Sequence, residues 1–106
     1  MSQIVSVYAT FASDEEARRI GRTMVEERLA ACVNILGRCH SIYRWQGQIE
    51  EADEVAAIFK ATSGEAELLI RRIGELHSYD VPAAVVWPIT EALEPYRRWV
   101  LENTGR

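Results

Sequence analysis

The residues with chemistry to offer are few. The chain has two histidines and two cysteines. His77 stands in the segment LHSYDVPAAVVWPIT over 76–90, beside Tyr79, Asp80 and Pro82. A neutral imidazole binds borderline metals such as Cu2+. Asp80 is the nearest second donor, and Cys32 or Glu54 come only from other segments. No HxxxH, HxH or CxxC spacing occurs anywhere, so no single element carries a chelating pair. A histidine is also favoured at a helix C-terminus, where it meets unpaired carbonyls and the negative end of the dipole. A metal-ligand role and a capping or packing role for His77 both stand at this level.

Cys32 and Cys39 are seven residues apart. On a regular strand that odd offset sends them to opposite faces, about 23 Å apart at ~3.3 Å per residue. Neither a disulfide nor a shared ion spans that distance. Cys32, between Ala31 and Val33, reads as a small buried hydrophobe; Cys39, beside His40, reads as the more reactive or metal-binding thiol. Glu50, Glu51, Asp53 and Glu54 form an acidic run, and alternation pairs Glu50 with Glu54 and Glu51 with Asp53. Such a run attracts hard divalent cations or keeps a strand edge solvated. Lys60 shares the parity of Glu50 and Glu54, which suggests a neutralised polar cleft. No Ser/His/Asp or Cys/His arrangement can be assembled, and the Tyr and Pro around His77 and Asp80 deny that pair a common helical face. The expectation is a protein that is not an enzyme.

These residues need elements to hold them. Residues 3–11 alternate around Val5, Val7 and Ala9 as a strand does. Ser13 offers an N-cap with Glu16 closing a capping box, and Ala17, Ile20, Gly21, Met24 and Arg28 follow at helical spacing over 14–29. Residues 32–45 and 48–62 are β-prone runs joined at Gln46 and Gly47, a hairpin, with Gly37 marking a bulge. Ser63 opens a second helix with a stripe of Ala66, Leu69, Ile70 and Ile73, ending near Leu76 and His77. Pro82 then holds Val81 extended. Ala83 to Trp87 is wholly apolar, like a strand buried on both faces. Pro95 suits the first turn of a last helix, which carries Tyr96, Trp99 and Val100 on one face. The order is β-α-β-β-α-β plus a C-terminal helix, the α+β, ferredoxin-like plan. Two right-handed crossovers place both main helices on one face of an antiparallel sheet.

At 106 residues the chain predicts a single domain over 1–106. A net charge of -4 opposes a nucleic-acid role, and the aromatic-glycine pattern of an RNA-binding sheet is absent. The acidic first loop, ASDEE, repels the phosphate that an acylphosphatase-like site would have to cradle. No apolar run reaches membrane-spanning length, and the N-terminus lacks the basic and apolar regions of a secretory signal. The expectation is a cytoplasmic protein with reduced thiols. A continuous strand over 32–45 spans on the order of 45 Å at ~3.3 Å per residue, too long for a compact domain of this size. Its tip, with Ile42, Tyr43 and Trp45, must project. A long apolar edge left in water invites aggregation, so pairing with copies of the same chain is expected, with those three residues as interface anchors.

ERLAACVNI at 27–35, SIYRWQGQIEE at 41–51 and HSYDVP at 77–82 resemble, in order and spacing, the signatures of the CutA divalent-cation tolerance family. The resemblance covers nearly the whole chain. It implies a ferredoxin-like subunit in a PII-like homotrimer, a role in tolerance of copper and other divalent metals, and no established reaction. It makes His77 the candidate metal residue, with Asp80 and Cys39 as weaker ones. Trp45, Glu54, Lys60 and Tyr79 become candidates for inter-subunit clefts. The chain departs from the usual HPYEVP at Ser78 and Asp80, and carries Ala9 and Leu76 where copper-tolerance members carry further ligands. A PII-like signalling or scaffold trimer that binds a metabolite or a protein partner is the alternative.

Overall fold

The structure, a computed structural model, describes residues 3–105. Its elements run β1 (Ile4–Phe11), α1 (Asp14–Glu26), β2 (Cys32–Trp45), β3 (Gln48–Thr62), α2 (Ala66–Leu76), β4 (Ala84–Pro88) and α3 (Glu94–Glu102). The four strands form one antiparallel sheet in the order β2-β3-β1-β4, the expected ferredoxin-like arrangement.

Strand alternation divides the sheet into two unlike faces. Val5, Val7, Ala9 and Phe11 of β1 pair across Ala61, Phe59, Ala57 and Val55 of β3, and all eight are buried. Against them pack Ala17, Ile20 and Met24 of α1 and Ala66, Leu69 and Ile73 of α2. Each such large side chain removed from water contributes about 1.5–3 kcal/mol. The second face carries Tyr8, Ile58, Val85 and Trp87, and neither α1 nor α2 covers it. Only α3 reaches it, where Val100 packs on Ile4 and Ala31. Arg28 ties the end of α3 to the end of α1. Its Nε and Nη2 donate to the carbonyls of Gly105 and Glu102 at 2.5 and 2.8 Å.

Four expectations are corrected. The first helix ends at Glu26 rather than 29, because Arg28 turns into the left-handed region at φ 61 and the Leu29 and Ala30 N–H groups fold back to the Met24 carbonyl. The second begins at Ala66, since residues 63–65 form a turn in which the Glu65 N–H reaches the Thr62 carbonyl. The Ala83–Trp87 run is not buried on both faces. β4 is an edge strand, and Val85 and Trp87 are 45% and 48% exposed in the single chain.

The fourth correction concerns the cysteines. At Gly37, with φ 103, the register of β2 against β3 slips by one between Ile35 and Gly37. Cys32 therefore lies opposite Lys60 and Cys39 opposite Glu54, two β3 positions of equal parity, so both thiols share the open face. The hairpin turns on Gln46 and Gly47 at φ 50 and 81, the two positive values that a type I′ turn requires. Beyond the end of β1 it continues as a two-stranded ribbon, and the described residues extend 44 Å along their longest axis.

Gly37→Ala puts a Cβ on a backbone conformation that L-residues avoid although space is open around it. It should cost about 1–2 kcal/mol, read as a lower denaturation midpoint with an unchanged slope.

Candidate functional site

His77 sits where α2 ends and is its C-cap. Its side chain is wholly buried. The ring stacks on Phe11 with centroids 5.1 Å apart and leans on Tyr79 at 4.7 Å. Nε2 lies 2.7 Å from the Thr10 carbonyl, which can only accept, and Nδ1 lies 3.1 Å from the Tyr79 N–H, which can only donate. The two partners select one neutral tautomer and use both nitrogens. No lone pair is left for a metal, so the expected ligand is in this chain a buried joint between α2 and β1.

The residue that organises the joint is Glu16. It is 4% exposed, although it stands in the first turn of a surface helix. Ser13 Oγ accepts from the Glu16 N–H at 3.1 Å, half of the expected capping box. The other half is replaced. Glu16 Oε1 accepts from the Ala12 N–H and Oε2 from the Ser78 N–H, each at 3.0 Å. One carboxylate thus pins the loop after β1 to the loop after α2. Burial pushes this carboxyl up, but the hydrogen bonds from Ser78 and Ala12 outweigh it, and Glu16 titrates below the ordinary range. The sequence showed Glu16 only as a cap, because its second partner lies 62 residues away.

Tyr79 carries the joint to the open face. Its hydroxyl donates to Glu54 Oε2 at 2.9 Å, and burial together with the Glu54 carboxylate pushes the phenol up to about 12. Glu54 lies opposite Cys39, and Tyr8 nearby stacks on Trp87 with centroids 5.1 Å apart. Burial, then the charges of Cys39 and Glu54, raise the Tyr8 phenol.

Other expected site residues are dispersed. Lys60 is opposite Cys32 and Ser6, six residues along β3 from Glu54, so the two do not line one polar cleft within a chain. Trp45 pairs with Gln48 at the hairpin tip. Ile42, Tyr43 and Trp45 are exposed there, as projecting anchors require. Asp80 is exposed. Cys32 is half-buried with Sγ 3.6 Å from the Tyr96 hydroxyl. Cys39 is equally half-buried, and His40, its neighbour in sequence, projects from the other face toward Glu51 and Asp53. That cluster went unnoticed in the sequence, although alternation and a turn at 46–47 place His40 opposite Asp53. Its two carboxylates meet opposite ring nitrogens and do not converge on one point. Among the described residues no three His, Cys, Asp or Glu side chains are placed to hold a metal ion.

The chain's match to known proteins is nearly end to end. The family model for the CutA1 divalent ion tolerance protein matches residues 5–103. The chain belongs to the CutA1 family. It is 45% identical over 105 residues to the divalent-cation tolerance protein CutA of Thermus thermophilus, covering 99% of this chain and all of that one. It is 42% identical to the Pyrococcus horikoshii protein of the same name, over 97% of this chain and all of the other. The solved T. thermophilus structure superposes with a TM-score of 0.93, covering 96% and 99% of the two chains. CutA1 from Oryza sativa superposes at 0.95 with 30% identity, over 99% and 96%. A CutA from Archaeoglobus fulgidus described as periplasmic superposes at 0.91 with 36% identity, over 94% and 97%. No helix among the described residues is long and apolar enough to cross a membrane. The CutA1 signatures fall on the exit from α1 into β2, on the hairpin tip and on the His77 joint.

His77→Ala removes the ring from between Phe11 and Tyr79 and strands the Thr10 carbonyl. It should cost about 2–4 kcal/mol of stability, and Cu2+ binding followed by calorimetry should be unchanged. Glu16→Gln places an amide donor against one of two N–H groups and should cost about 1–3 kcal/mol near neutral pH. The folded pKa of Glu16 lies below the ordinary 4.5. Its stabilisation is therefore full above the unfolded value and is lost as pH falls through the folded one. The gap between variant and wild type in urea melts should close on acidification.

Proposed function

We propose that this CutA1-family chain acts in tolerance of divalent cations, copper included, as a homotrimer with no catalytic step of its own. The observation that carries the reading is the uncovered sheet face. Val85, Trp87, Tyr43 and Trp45 are exposed on it in the single chain, where β4 and the ribbon have no helix over them. Apolar side chains at such density call for a partner surface, and three subunits is the number that the family resemblance implies. Relatives named for divalent-cation tolerance support the cation role. Since the described residues of one chain gather no three ligands, a cation site in this reading takes donors from more than one subunit, at the clefts between them. In this reading one subunit contributes the Tyr79–Glu54 pair to a cleft wall, with Trp45 and Lys60 supplied by a neighbour. A cytoplasmic place of action belongs to the reading, supported by two unpaired thiols.

The test is sedimentation and native mass measurement of the wild-type protein, followed by titration with Cu2+ and Zn2+ read by mass and thermal shift. A trimer that takes up Cu2+ and melts higher with it is expected. A monomer at micromolar concentration overturns the assembly. A trimer stabilised by a metabolite and by neither metal overturns the cation role in favour of a PII-like signalling module.

A further inference from the structure

We draw no further inference here: the strongest candidate, the groove between α2 and the β4 edge lined by Glu67, Ile70, Arg71, Gly74, Pro82 and Ala84, carries nothing, because nothing in the structure shows what covers it.

Discussion

The constraint on which everything else rests is that α1 and α2 cover one face of the sheet and leave the other open. Because side chains alternate along a strand, that single decision sorts every β residue into core or open face. Ala57 and Phe59 become core, while Ile58 between them and Lys60 after them face away. The open face is then where the chain's unusual features collect: the Tyr8–Trp87 stack, the Tyr79–Glu54 bond, both thiols and the approach of α3. A sheet with both faces covered would have buried these residues.

The two histidines show how environment sets chemistry. His77 is enclosed by partners of opposite kind, one acceptor and one donor, and this fixes a single neutral tautomer. His40 is exposed between two acceptors, and this calls for a cation. Sequence context pointed to the first as the functional one, since it stands next to Tyr79, Asp80 and Pro82. Burial removes that reading of the first. The enclosed ring has no valence left to offer, and the exposed ring can exchange a proton with solvent.

Glu16 and Arg28 do comparable work at opposite ends of α1. A carboxylate near a helix start meets unpaired N–H groups there, and Glu16 uses the chance to collect one from each of two loops. Arg28, past the helix end, donates to carbonyls of the C-terminal segment. Each joins parts of the chain far apart in sequence: Ser78 for Glu16, Glu102 and Gly105 for Arg28. Through Glu16 the His77 joint is locked in place, and through Arg28 the last helix is held over its end of the open face.

Periodicity, caps and turn residues made the element order legible. Alternation in β1, the Ser13 cap, the Gln46–Gly47 turn and the stripe of α2 each depend on neighbours a few residues away, so the sequence carries them locally. The length of β2 foretold the projecting ribbon for the same reason, since rise per residue is a local property. What sequence could not decide was anything resting on register or on strand order. The slip at Gly37 moved Cys39 to the face of Cys32, and a one-residue shift inverts facing without altering composition. Edge position left Val85 and Trp87 open although their run reads as buried. The role of His77 turned on whether Thr10 and Tyr79 would close around it, and that of Glu16 on a loop beyond the second helix. The sequence by itself determined the elements and the hairpin; the tertiary structure decided which side chains meet, because contacts between distant segments are set by packing rather than by local preference.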